Sequence, residues 1–267
     1  MLAGVFGLTG LSSLANNTNS VIKLSNKMRD SANNNEPTIK TIGILGGMGP
    51  QATMDLEMRI HKVAQQLIQP AQNGGYPPMI VEYYRHPPIL LTKEHIPISP
   101  WQPDPRMLDV AKNLGILADF ILNASNGVHQ FQKEIEDVSG RKVLSMVDAT
   151  LDEVKKRGWQ RIGVLGLMTP AVYTARLNDI GIAFETIDDE MQAKLNLAIF
   201  RVMEGREEES DRAIAIEAIT QLRNKKVDGI IPGCTEIPFL LGQAMNATDL
   251  LNPAQLLAEA AVKYCLS

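Results

Sequence analysis

Two pairs of matched segments constrain this chain more than any other feature. "TIGILGGMGPQAT" (41–53) matches "RIGVLGLMTPAVY" (161–173), and "ADFILNASNGVH" (118–129) matches "VDGIIPGCTEIP" (227–238). Each begins as a β-rich apolar run, breaks at glycine or a small residue, and leads into a helical pattern. The lag within each pair is similar: 82 residues from Gly43 to Ser125, and 71 from Gly163 to Cys234. A repeat this long is no solenoid unit, which spans about 20–50 residues. It predicts a duplicated α/β domain with two lobes facing each other across a cleft.

Strand and helix patterns alternate along the rest of the chain. Strands are expected at "KTIGILGG", "PMIVEYY", "DFILNA", "KVLSMV", "QRIGVLGL", "AFETI", "VDGIIPG" and "DLLN". Helices are expected between them, several opening on proline, as at Pro50, Pro170 and Pro253. "GVHQFQKEIEDV" and "IPFLLGQAM" read as helices directly after the two matched strand ends. Such alternation implies parallel sheets covered on both faces. The expected fold is two pseudo-symmetric three-layer α/β/α lobes with mainly parallel sheets. The first lobe is expected at 40–150 plus 248–267, and the second at 151–247.

Residues 1–39 stand apart. "MLAGVFGLTGLSSLA" is short and apolar, with Ser13 and Ala15 spaced like a cleavage site, but it lacks an early Lys or Arg. An Asn-rich polar stretch follows. The expectation is a flexible tail or a processed targeting segment. No apolar run reaches the length of a membrane span.

The net charge of −4 argues against a nucleic-acid partner, because phosphate binding needs a basic face. Two cysteines, Cys234 and Cys265, cannot build a disulfide framework, and no metal-ligand spacing is present. A free thiol fits a reducing compartment, so a cytoplasmic location is expected. Cys265, on an apolar helix near the end of the chain, reads as a packing residue.

"GILGGMGPQA" loosely fits a dinucleotide fingerprint through Gly47, Gly49 and Ala52. About 20 residues on, however, stand Gly74 and Gly75 rather than a strand-ending acid. The preferred reading is a tight strand-to-helix turn, including Met48 and Gly49, whose amides can hold a carboxylate. Ser125 and Cys234 fall at strand ends, where parallel sheets bind ligands. A thiol before a helix has its thiolate favoured by the helix dipole, so Cys234 is the expected base or nucleophile. Asn126 and Thr235 follow these residues and can bind a carboxylate. His129 lies one helical turn after Ser125 and could relay a proton, or could simply pack.

Together, "GILGGMGPQAT", "ADFILNASNGVH" and "DGIIPGCTEIP" resemble the aspartate/glutamate racemase family over residues 40–265. That resemblance implies racemisation of acidic amino acids without pyridoxal phosphate or metal, usually by homodimers. It also implies two cysteines flanking Cα. The second family pattern, Gly-Cys-Thr-Glu, is kept as Gly233-Cys234-Thr235-Glu236, with Glu236 a further proton-relay candidate. The first, Cys-Asn-Thr-Ala-His, reads here Ser125-Asn126-Gly127-Val128-His129. Ser125 therefore stands for a thiol and Gly127 for a carboxylate-binding threonine. Arg85 is the available arginine after the second strand, and Thr169 a polar contact after the strand of the second half.

A thiol has a pKa of about 8.5, whereas a serine hydroxyl is a weaker acid than even tyrosine at about 10. Each pK unit is worth about 1.4 kcal/mol, so an unassisted Ser125 alkoxide is implausible as a base, and an adjacent base, His129 being the nearest candidate, would have to activate the hydroxyl. The expected function is an asymmetric or slow racemase or epimerase of aspartate or glutamate, with Cys234 as the competent base. The alternatives are a single-cysteine decarboxylase or isomerase, as in the similar arylmalonate decarboxylases, and an inactive carboxylate binder.

Overall fold

The computed structural model describes residues 39–69, 75–94, 96–168 and 170–267. Residues 1–38 of the expected tail, Gly74 and Thr169 lie outside the described residues.

The first matched run forms β1 (Ile42–Gly46), followed by α1 (Pro50–Leu67). Then come β2 (Met79–Tyr83), α2 (Pro105–Leu117) and β3 (Phe120–Asn123). A 3-10 turn (Gly127–Phe131) leads into α3 (Gln132–Ser139), β4 (Val143–Leu144) and α4 (Met146–Lys156). The pattern restarts with β5 (Arg161–Leu165), α5 (Ala171–Asp179) and β6 (Ala183–Glu185). Helices α6 (Asp189–Met203) and α7 (Glu209–Asn224) precede β7 (Gly229–Pro232). Helix α8 (Ile237–Leu241), a 3-10 turn (Gly242–Asn246) and α9 (Pro253–Cys265) end the chain.

Two parallel sheets result, with strand orders β2-β1-β3-β4 and β6-β5-β7. A single parallel bridge, Ile230 to Leu250, sits beside β7 where β4 sits beside β3. "DLLN" was expected to be a strand; it is reduced to that bridge, since Asn252 instead caps α9 by accepting from the Ala254 and Gln255 N–H groups. The expected strand "KVLSMV" is likewise shortened. Ser145 accepts from the Asp148 N–H as an N-cap, which commits Met146 and Val147 to α4.

The sheets are buried on both faces, as continuous apolar strands require. Ile42, Ile44, Leu56 and Ile60 pack with Leu257 and Val262 of α9 on one face of the first sheet. Leu45, Ile121, Met107, Leu114 and Ile135 fill its other face. Leu165 and Ile230 of the second sheet pack on Leu195, Ile199 and Leu222. Its opposite face carries Ile162, Val164, Ile231, Tyr173 and Leu177. Helix α4 serves both sheets: Met146 joins the α9 core, while Val147, Leu151 and Val154 join the second. Equivalent glycines sit in the central strands because a helix comes close behind each. A Cβ at Gly43 would lie 2.8 Å from Ala118, and one at Gly163 2.9 Å from Leu222. No described helix is long and apolar enough to cross a membrane.

Candidate active site

The two halves agree in register, not merely in sequence. Gly43 of β1 pairs with Ile121 of β3, and Gly163 of β5 pairs with Ile230 of β7. Three residues further on, the Ala124 N–H donates to Leu45 O at 3.2 Å, and the Gly233 N–H donates to Leu165 O. The next residues are Ser125 and Cys234. They are positional equivalents, as are Asn126 and Thr235, and Gly127 and Glu236.

One cleft of about 760 Å³ opens beyond these strand ends. Ser125, Asn126, Gly127, Cys234, Thr235 and Glu236 line it, together with Met48, Gly49 and Arg85. The structure thus brings the sequence-derived candidates to one cavity, except His129, which is not among its lining residues, and Thr169, which is outside the described residues.

The β1–α1 turn is held from within. Gly47 takes a φ of +87°, and a Cβ there would press on the Tyr84 backbone at 2.6 Å. Its N–H donates to Thr53 Oγ1 at 2.9 Å, and the Thr53 hydroxyl donates to Gly49 O at 3.2 Å. This turn reaches the other half of the site: a Cβ at Gly49 would lie 3.2 Å from Glu236 Oε1.

Cys234 is buried, and its thiol donates to Glu236 Oε2 at 3.0 Å. The Thr235 hydroxyl donates to the same oxygen at 3.1 Å. Glu236 Oε1 is buried with no hydrogen-bond partner. The sequence led us to expect a thiol acidified by a helix end; the structure reverses that sign. Burial pushes the Cys234 thiol well above its usual value, and the adjacent Glu236 charge and hydrogen bond push it the same way. The helix behind it, α8, has only five residues, so its dipole is small. Burial also raises the Glu236 carboxyl, against the hydrogen bonds from Cys234 and Thr235.

Ser125 has no such partner. Its N–H donates to Asn123 Oδ1 at 3.1 Å, and its carbonyl accepts from His129 Nδ1 at 2.9 Å. His129 Nε2 accepts from the Met146 N–H at 3.0 Å. Both ring nitrogens are therefore committed to main chain. These contacts assign the neutral tautomer with its proton on Nδ1, and burial lowers the imidazole pKa. Of the two roles left open for His129, proton relay or packing, these contacts favour the second: the ring clamps the Ser125 turn to the start of α4. The helix expected from Gly127 begins as a 3-10 turn, whose Asn126 carbonyl accepts from the His129 N–H.

Asn126 is buried and accepts at Oδ1 from the Tyr173 hydroxyl at 2.6 Å. This bond orients the amide and leaves Nδ2 buried without a protein partner, a donor available to a ligand. Tyr173 is fully buried, and burial raises its pKa, so it remains a donor at neutral pH. Sequence reasoning missed Tyr173 and Thr53. The repeat carried the signal, because each lies ten residues after its strand glycine, Gly163 or Gly43. Gly127 leaves open space, with nothing within 4 Å of an added Cβ. Arg85 stands exposed at the cleft wall. Among the described residues, no group of three His, Cys, Asp or Glu side chains forms a possible metal site.

Fold and site together define a two-lobed parallel α/β protein with a strand-end thiol in a shared cleft. The chain belongs to the Asp/Glu/hydantoin racemase family, whose profile matches residues 45–261. The broad specificity amino-acid racemase RacX of Bacillus subtilis (strain 168) is 24% identical over 232 residues, which are 85% of this chain and 98% of that protein. The aspartate racemase of Picrophilus torridus has the same fold, with a TM-score of 0.67 at 24% identity, covering 85% of this chain and 94% of its own. The glutamate racemase of Francisella tularensis subsp. tularensis SCHU S4, solved with D-glutamate, gives a TM-score of 0.57 at 16% identity, covering 85% of this chain and 81% of its own.

Proposed function

We propose that this protein is a cofactor-independent racemase or epimerase that removes and returns the α-proton of an amino acid, with Cys234 as its working base. Family membership supports the reaction class. The observation that carries the asymmetry is the register equivalence of Ser125 and Cys234, of which only the thiol has a carboxylate partner.

In this mechanism Glu236 Oε2 accepts the Cys234 thiol proton, so the thiolate forms when substrate arrives. The thiolate takes the proton from Cα, and the electron pair left behind spreads into the substrate carboxylate. Asn126 Nδ2, the Thr235 hydroxyl and the turn at Met48 and Gly49 are the groups that would hold that carboxylate. Ser125 donates a proton, or holds the water that does, on the opposite face. Return from that face is slow because it needs the Ser125 alkoxide to take the Cα proton, and a serine hydroxyl ionises far less readily than a thiol. His129 acts by fixing the Ser125 turn.

The acidic substrates, aspartate and glutamate, are the expectation carried by the resemblance, and Arg85 is the strong cation at the cleft wall. A homodimer, and a division of the lobes at 40–150 plus 248–267 and 151–247, belong to the same proposal. The packing of α9 on the first-sheet core supports that division. A single-thiol reaction is the second reading, favoured by the Ser125 hydroxyl making no hydrogen bond to a base among the described residues.

The test is α-proton exchange in heavy water, followed by NMR with each enantiomer of a supplied amino acid. Exchange from one enantiomer well ahead of the other is the expected result. Equal exchange from both would remove the asymmetric mechanism, and no exchange with any amino acid would remove the racemase reading.

A further inference from the structure

Resting on the amino-acid reading above, we propose that the favoured substrates carry a bulky apolar side chain rather than a second carboxylate. The cleft divides chemically. Its polar groups, Ser125, Asn126, Cys234, Thr235 and Glu236, gather at the strand ends. Its remaining walls include Leu91, Trp101, Val128, Met168, Phe200 and Met203, drawn from four separate parts of the chain. A volume of about 760 Å³ lies within the usual range of roughly 300–1,000 Å³ for sites enclosing sizeable organic ligands. Trp101, Met168 and Phe200 remain 44–47% exposed, so each has apolar surface left for a ligand to cover.

Charge points the same way. Among the described lining residues, the carboxylate is Glu236, the strong cation is Arg85, and His86 and Tyr83 are the other titratable groups besides Cys234. Glu236 is buried against the thiol. An acidic substrate would bring two carboxylates to a site where Glu236 and Cys234 already share one buried negative charge. Arg85 is exposed, and water screens its countercharge. An apolar side chain brings only the α-carboxylate, which Asn126 Nδ2 can meet. Gly127, with open space where a Cβ would point, adds width beside Asn126.

The experiment pairs binding by calorimetry with α-proton exchange in heavy water, using both enantiomers of phenylalanine, leucine, methionine, aspartate and glutamate. The Cα–H proton moves to the thiolate, forming S–H; solvent deuterium replaces it there, and the deuterated thiol returns deuterium to Cα. Exchange efficiency for phenylalanine or leucine is expected to exceed that for aspartate and glutamate by about tenfold or more. Phe200→Arg, at an exposed wall position, is expected to lower phenylalanine exchange about tenfold and to shift the phenylalanine-to-aspartate ratio toward aspartate by at least that factor. A preference for aspartate or glutamate in wild type would overturn the apolar assignment and leave the racemase reading standing. Tight binding of phenylalanine without exchange would support the apolar assignment and overturn the racemase reading. Neither binding nor exchange of any apolar amino acid would overturn the assignment outright.

Discussion

Cys234 and Glu236 are two residues apart on one turn, and the thiol of the first donates to the carboxylate of the second at 3.0 Å. In the proposed mechanism, the base and the acceptor of its own proton are thus supplied by a single tetrapeptide, Gly233 to Glu236. Cys234→Ala is expected to abolish α-proton exchange. Glu236→Gln, which keeps the shape but cannot take the proton, is expected to lower the exchange rate about 10²–10⁴-fold, the usual contribution of a positioned acid–base group. Steady-state NMR exchange on both variants checks this, with circular dichroism to establish folding.

The same pair sets the pH profile. Burial raises both the thiol and the carboxyl, and the working state needs the thiol proton removed. Exchange should therefore climb with pH, and its upper inflection should lie above the ordinary thiol value of about 8.5. In Glu236→Gln the Glu236 charge no longer opposes ionisation, so that inflection should move to lower pH while the plateau rate falls. A pH–rate profile of the two proteins measures both effects.

Glu236 also carries a stability cost. Its folded pKa lies above the unfolded value, so the folded state binds more protons. The stabilisation from a protonated Glu236 is full below the unfolded value of about 4.3 and is lost as pH rises through the raised folded pKa. At pH 7, Glu236→Gln is therefore expected to raise the melting temperature; near pH 4 the gain should shrink toward zero. Thermal melts at the two pH values, run on both proteins, provide the comparison.

Ser125→Cys places a thiol at the positional equivalent of Cys234. Exchange from the slower enantiomer is expected to rise about tenfold or more, because the new group ionises several pK units more readily than a hydroxyl. Unchanged asymmetry with normal folding would show that the second face is not served from this position.

Tyr173→Phe removes the buried hydroxyl that orients Asn126 from the other half of the chain, and leaves Asn126 Oδ1 buried and unpaired. The expected cost is about 1–3 kcal/mol in stability. KM should rise more than kcat falls, because the freed amide no longer presents Nδ2 to the carboxylate. Denaturant titration and enzyme kinetics separate the two effects.

The duplicated architecture was legible because it is written in local patterns. Alternating apolar runs and helical segments gave the layers, and the matched pairs gave the equivalence of Ser125 and Cys234. Pattern length was less informative: Met146 and Val147 are as apolar as any strand, yet the Ser145 cap claims them for α4. What the chain determined by itself was which residue types stand at the two strand ends and that only one is a thiol. What the tertiary structure decided was how those residues behave. Burial and the neighbouring Glu236 raise the Cys234 thiol where a helix end was expected to lower it. The Met146 and Ser125 backbones occupy His129, and Tyr173 from the other half orients Asn126. Residues from four separate parts of the chain build the apolar wall. Each of these depends on desolvation or on partners distant in sequence, and neither is encoded in the spacing of residues along one segment.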